Sequence, residues 1–541
     1  VDQRVKRLRI NSYHCSDLNF INMSILSIFP RKQFVAFLLM LLFVSVSVKT
    51  VAQQPTIQFN VSVTDPSSHA YHVTMSLTKW NKDTLLLKMP NWTPGYYQLM
   101  NYAGDVQAIK ATDTKGNQLS LQQINTNTWR VTGIRNKAFV VDYSIQTKRQ
   151  FVANSYVDSN RAYIIPANSF LYVEGALQMP VAVTVEKGNR WSSIATGLTP
   201  DSKISNRFSA IDFDELYDCP ILVGNLEELP SFKVKGIVHR FIGYKLGEFD
   251  RQDLMNKLQK MIEVATDLFG DIPYQQYTFI GIGPGRGGIE HANNTTVSFD
   301  GKGLNTAAGM NTMLNFLAHE YIHHFNVKRI RPFELGPFDY DKENRTNQLW
   351  ISEGLTVYYE YIVLKRAGLA DEQTMLQNLE RNITAHEKNP GRLHQSLQQA
   401  SYKTWRDGPF GTSGDEKGKT ISYYDKGPIV GMLLDLAIRQ SSGNKRSLDD
   451  VMRLLYQKYY LQLKRGFTEA EFQEACEVTA GVSLAAFFDY VYTTKELDYN
   501  YYLLFAGLQL VQSDGLYKLK RIDQPTEMQQ TIYRSWMGQR L

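Results

Sequence analysis

The chain runs to 541 residues, 43% of them hydrophobic, 21% charged and 12% aromatic. Such a mixture can bury a large core, which excludes a disordered, collagenous or coiled-coil protein, and the length predicts two to four domains. The net charge is +6, yet residues 1–52 alone carry seven basic and two acidic groups, so the remainder is close to neutral. Nothing in that balance favours a phosphate backbone, and no nucleic-acid partner is expected.

The first 52 residues read as a leader. Arg31 and Lys32 precede an apolar run over 34–48, and Thr50-Val51-Ala52 follows. A basic flank, an apolar stretch and a small-residue end describe a secretory signal peptide, with cleavage expected after Ala52 and a periplasmic or extracellular destination. The run falls short of the roughly 20 residues that cross a bilayer, so no stable membrane span is expected after cleavage. Met23 lies shortly before the basic pair, and residues 1–22 are read as an over-extended start. Cys219 and Cys476 lie downstream; one disulfide or two buried thiols would both suit the chain.

Residues 53–227 are patterned with period two. Ile57, Phe59, Val61 and Val63, then Tyr71, Val73, Met75 and Leu77, then Phe139, Val141, Tyr143 and Ile145 predict an antiparallel β-sandwich-like domain. The period changes near 250. Asp250 is placed to cap a helix with apolar positions Leu254, Leu258, Met261, Ala265 and Leu268, stopping at Gly270. Tyr277-Thr-Phe-Ile-Gly-Ile282 predicts a short strand ahead of Gly-Pro-Gly-Arg-Gly-Gly, and helices dominate beyond 305. Thr468 with Glu471, and Ser447 with Asp450, read as capping boxes. Residues 387–420 predict a long polar loop of the kind that shapes a site. The fold class expected is α+β and multidomain: a β domain over 53–227, a mainly helical domain over 228–500, and a tail over 501–541.

One stretch within the helical half carries chemistry. In Asn311-Thr-Met-Leu-Asn-Phe-Leu-Ala-His-Glu-Tyr-Ile-His-His-Phe-Asn-Val-Lys328, Met313, Leu314, Phe316, Leu317, Ile322 and Phe325 supply a helical apolar face. His319 and His323 are four apart, so both imidazoles leave one face and can bind one Zn²⁺. Glu320 stands beside them, where a carboxylate can take a proton from a water at the metal. A zinc enzyme needs a third ligand and an open position, and Glu353 in Trp350-Ile-Ser-Glu-Gly354 is the candidate. Glu360 competes by type alone and is read as an exposed helix charge. Asp339, Asp341 and Glu343 are read as solvated loop charges. His324 points about 100° away from His323 and is read as structural or supporting.

The ensemble resembles the glycyl aminopeptidase family of zinc peptidases, relatives of thermolysin and aminopeptidase N. The matching pieces are Gly287-Gly-Ile-Glu-His291, His319-Glu-Tyr-Ile-His-His-Phe-Asn-Val-Lys-Arg-Ile-Arg-Pro332, Trp350-Ile-Ser-Glu-Gly354 and Tyr423-Tyr-Asp-Lys-Gly427. Weaker similarity lies at Trp92-Thr-Pro-Gly-Tyr96 and Phe213-Asp-Glu-Leu-Tyr-Asp218, so the likeness spans about residues 55–510. It departs from the family at the C-terminus, where too few residues follow Gly507 for the usual PDZ domain.

The resemblance implies a thermolysin-like catalytic domain holding one zinc per chain through His319, His323 and Glu353, with Glu320 as base. It implies peptide substrates with a free N-terminus, glycine or alanine by preference. Gly287 and Gly288 offer bare backbone to which such a peptide could pair. Glu290 resembles the glutamate that holds the substrate's ammonium, and Tyr424 the tyrosine that donates to the tetrahedral oxygen, with Tyr423 as its rival. His291 replaces an asparagine of the relatives and is given no role. Arg329 and Arg331 are expected in structural ion pairs, or less favourably on a substrate carboxylate. An endopeptidase of the same fold, a hydrolase of non-peptide substrates and a non-catalytic peptide binder remain as alternatives.

Overall fold

The computed structural model describes residues 57–539 apart from Lys79. The leader and its cleavage site lie outside the described residues. Among those described, no helix is long and apolar enough to cross a membrane.

The period-two runs form strands, as alternation demands: Ile57–Ser62, Ala70–Leu77 and Phe139–Gln146 each bury every second side chain. They belong to a seven-stranded sheet that runs in the order 199–200, 207–210, 181–186, 57–62, 70–77, 139–146, 106–113. Two four-stranded sheets accompany it, and one continuous apolar core joins them. The pairing is antiparallel with one exception, since Ile57–Ser62 lies parallel to Val181–Glu186. Alternation sets which face a strand buries but says nothing of the direction of its neighbour.

The second half begins with a mixed sheet. Strands Ile237–Gly243, Gln276–Gly281 and Asn294–Val297 are parallel, and Gly288–Glu290 closes the edge antiparallel to the last of them. Helix Arg251–Phe269 is capped by Asp250, whose carboxylate accepts from Asp253 N, and ends at Gly270 in the left-handed region. Both capping boxes form. The 387–420 stretch is more ordered than a polar loop, because it contains the short helices Leu397–Tyr402 and Thr404–Asp407.

The two halves share one body. Asp341 accepts from Lys88 Nζ at 2.5 Å, Asn127 Nδ2 at 2.9 Å and Tyr172 OH at 3.0 Å, all from the β half. Those contacts hold its carboxyl below the usual range despite burial. Sequence reading had left Asp341 in solvent; it is instead the centre of the joint. Cys219 and Cys476 are both buried and unpaired. Residues 508–513 and 516–521 form a hairpin, and helix Glu527–Trp536 packs against helix Leu355–Arg366, where Trp536 Nε1 donates to Tyr358 OH at 2.8 Å.

Candidate active site

Thr306 starts the helix Ala307–Ile322 by accepting from Gly309 N, and His323 sits at its C-cap. One helical turn brings His319 Nε2 within 2.9 Å of His323 Nε2. Glu353 Oε2 lies 3.5 Å from the first and 3.2 Å from the second. Tetrahedral zinc with bonds near 2.0–2.1 Å separates its ligand atoms by about 3.3 Å, so these three atoms fit that ion. The far side of each ring is fixed. His319 Nδ1 donates to Glu360 Oε2 at 2.9 Å and His323 Nδ1 donates to the Asn326 carbonyl at 2.7 Å, which leaves both Nε2 atoms bare toward Glu353.

Glu360 is therefore no exposed charge. It is buried, and it orients the His319 ring. Its signal was in the spacing: seven residues after Glu353 is two turns, which returns a helix to the same face.

Glu353 stands on a π-turn, Trp350–Gly354, that runs into helix Leu355–Arg366. Burial alone would raise its carboxyl, but the His323 and His319 imidazoles hold it well below the usual carboxylate range. Gly354 meets Gly427 of helix Tyr423–Ser441 backbone to backbone; a Cβ on either would lie 2.6 Å from the other's Cα. That close crossing brings Tyr424 OH to 2.8 Å from Glu353 Oε2, to which it donates. Tyr423 turns the other way and meets Thr404 Oγ1 at 3.0 Å.

Glu320 is buried, and burial pushes its carboxyl up to about 7, against the opposing pull of His319 and His323. Its Oε2 has no hydrogen-bond partner. Its Oε1 presses on the edge strand, where a Cβ at Gly288 would come within 2.6 Å of it. Gly288 is thus needed to make room for Glu320 as well as to bare the strand.

Glu290, two residues along that strand, is 4% exposed and accepts no hydrogen bond among the described residues. It lines a small cavity with Tyr97 and Lys328, and Gly95 and Tyr97 border both that cavity and the main cleft. Gly95 belongs to the β half, and a Cβ there would fall 2.8 Å from Glu290 Oε2. The turn after Glu290 is held from the same half: Asp218 accepts from Ala292 N at 2.7 Å, contacts His291 Nδ1 at 3.1 Å and pairs with Lys328 at 2.5 Å. His291 thereby acquires a role in placing Glu290. His324 makes no ring hydrogen bond and packs among Tyr274, Tyr277, Tyr321 and Phe325, a structural position. Arg329 is structural too, although it donates to the carbonyls of Ala292, His324 and Pro273 rather than to an acid.

Above the bare imidazoles opens a cleft of about 1570 Å³. Gly287, Gly288, Glu320 and Tyr424 face it, and the β half adds Tyr96, Gln98 and Phe151. Gln98 carried no motif; its Nε2 is spent on the carbonyls of Tyr97 and Thr404.

Two imidazoles and a buried carboxylate converge beside an unpartnered glutamate, under a cleft walled by a strand edge, an arrangement able to hold a metal ion. The model of the M61 peptidase N-terminal domain matches residues 58–225, and that of the M61 glycyl aminopeptidase matches 312–430. The chain belongs to the M61 glycyl aminopeptidase family, and it is a peptidase. No curated protein matches it. Among solved structures, it is similar to an aminopeptidase N family protein from Idiomarina loihiensis, at 26% identity and a TM-score of 0.78, over 84% of this chain and 79% of that one. The M1 zinc metallopeptidase of Deinococcus radiodurans shares the fold at 14% identity and a TM-score of 0.51, over 82% of this chain and 96% of that one. A mutant of that protein bound to a Tyr-Ser-Ala substrate aligns equally well, over 95% of its length.

Proposed function

We propose that the protein is an exported, zinc-dependent aminopeptidase that removes N-terminal residues, glycine or alanine by preference, from peptides. The observation that carries the reading is the set of His319, His323 and Glu353 donor atoms, all within 4.8 Å of one another, beside the unpartnered Glu320 carboxylate. Zinc, when held by these three residues, supplies a Lewis acid that acidifies water and polarises the scissile carbonyl. Glu320 takes the water's proton at its free Oε2 and delivers it to the leaving amine; burial raises its carboxyl and strengthens it as a base. Tyr424 releases Glu353 and donates its phenol to the developing oxygen of the substrate. The outer edge of Gly288–Glu290 pairs with the peptide backbone, and Glu290 receives the free ammonium. A buried carboxylate without a hydrogen-bond donor is suited to that cation. Export rests on the leader, and the glycine or alanine preference rests on the family.

The decisive experiment pairs free and N-acetylated glycyl and alanyl peptides. Wild type is expected to hydrolyse only the free series, and Glu290→Ala to lose about 2–4 kcal/mol of transition-state binding on that series alone. Equal losses on both series, or none, remove Glu290 from this role. Efficient hydrolysis of the acetylated series by wild type makes the enzyme an endopeptidase. Glu320→Gln should keep its zinc and lose activity; robust turnover by that variant refutes the base assignment.

A further inference from the structure

The direction of a bound peptide follows from the site. Glu290 and Gly288 lie on one face of the edge strand, two residues apart. With the ammonium at Glu290 and the scissile bond beside Glu320 at Gly288, the rest of the substrate continues antiparallel to the strand, toward Gly287 and Arg286. The ladder persists to Gly287, whose carbonyl accepts from Ser298 N at 3.0 Å. The loop beyond is fastened to the β half by Gln150 Nε2, which donates to the Pro284 carbonyl at 2.7 Å.

Arg286 stands on this fastened loop, exposed, in the cleft wall. Among the described residues it makes no ion pair, hydrogen bond or ring contact. Arg381, also in the cleft, is by contrast bonded to Asn378 on its own helix. Two residues reach at most about 7 Å, and Gly287 turns the chain in the left-handed region, so Arg286 stands within about two substrate residues of the scissile bond. A guanidinium there is a planar fork matched to a carboxylate.

We propose that Arg286 binds a substrate carboxylate just downstream of the scissile bond and so selects short peptides, di- and tripeptides with a free C-terminus. The inference rests on the aminopeptidase reading, which sets the direction of the peptide. A carboxylate at that point can also come from an acidic side chain, and the substrates separate the two sources.

The test uses the full-length zinc-loaded enzyme with Ala-Ala-Ala, Ala-Ala-Ala-amide and Ala-Ala-Asp-amide. Wild type is expected to favour the acid over the plain amide by about tenfold in kcat/KM, the factor a charge-assisted hydrogen bond confers. Arg286→Ala should erase that ratio and Arg286→Lys should keep part of it. A preference for Ala-Ala-Asp-amide over the plain amide assigns the site to side chains as well. Equal rates on all three peptides in wild type, or an equal loss on all three in Arg286→Ala, overturn the proposal. Calorimetric binding of the acid and the plain amide to Glu320→Gln, with and without Arg286→Ala, reads the same ratio without turnover. Cleavage of acetylated peptides would sink the aminopeptidase reading and leave this ratio measurable, so the two failures are distinguishable.

Discussion

A single methyl group at the helix crossing should disable the site from a distance. In Gly427→Ala the new Cβ would stand 2.6 Å from Gly354 Cα, whereas ordinary contact begins at 3.4 Å. The backbones on both sides are packed, so the helices must part by about 0.8 Å, and such overpacking costs about 1–3 kcal/mol. The same displacement stretches the 2.8 Å contact between Tyr424 OH and Glu353 Oε2 past hydrogen-bonding distance. Misplacement on this scale costs on the order of 100-fold in rate. Thermal denaturation should show a lower midpoint, and kcat/KM on a free alanyl peptide should fall by that order. Tyr424→Phe separates the causes, because it removes the hydroxyl without moving the helices; its loss should fall in the range of about 100- to 1000-fold for an oxyanion donor. Wild-type stability and activity in Gly427→Ala would refute the packing account. A fully active Tyr424→Phe would refute the phenol's role.

Three further outcomes are expected. Glu360→Gln should weaken zinc affinity about 10- to 100-fold in a chelator competition, since His319 loses its anionic partner; unchanged affinity would dismiss Glu360 as an orienting group. Burial raises the Asp218 carboxyl, but Lys328 and His291 outweigh it and bring it down to about 2. A lowered carboxyl stabilises the fold above its unfolded pKa near 4 and loses that contribution as the pH falls toward 2, so urea titrations should show Lys328→Met less stable by on the order of 2 kcal/mol at pH 7 and the gap closing in acid. A gap that stays constant with pH would show that the pair does not act through charge. Gly288→Ala should lose activity without losing zinc, because its Cβ meets Glu320 and no ligand; full activity would mean that Glu320 need not lie against the strand.

The readable parts of the molecule were those set by local rules. Helix Arg251–Phe269 was legible at both ends, because a carboxylate cap and a left-handed glycine act within a turn. His319, Glu320 and His323 were legible because helical spacing alone places two imidazoles on one side. Preferring Tyr424 to Tyr423 needed the family's pattern, and the geometry adds its reason in the Gly354–Gly427 crossing. What stayed hidden depends on partners distant in sequence. Asp341 resembles any loop acid until Lys88, Asn127 and Tyr172 arrive from 169 or more residues away. Asp218 and Gly95 lie inside the two weaker stretches of likeness in the β half, but those stretches do not say that both shape the environment of Glu290, which needs the folded contact.

The placement of helix Glu527–Trp536 bears on how much of the chain the site needs. Trp536 is fully buried against Tyr358, whose hydroxyl also donates to Asp435, so the helix that follows Glu353 is locked from below by residues near the end of the chain. Until helix Glu527–Trp536 is in place, the helix that carries on from Glu353 rests on an unfinished floor. Nascent chains halted at residue 526 are therefore expected to be inactive and readily digested by added protease, and addition of the 527–539 peptide in trans should restore part of both properties. The floor under Glu353 is thus supplied by a helix far along the chain, and the site answers to a segment that touches none of its polar groups.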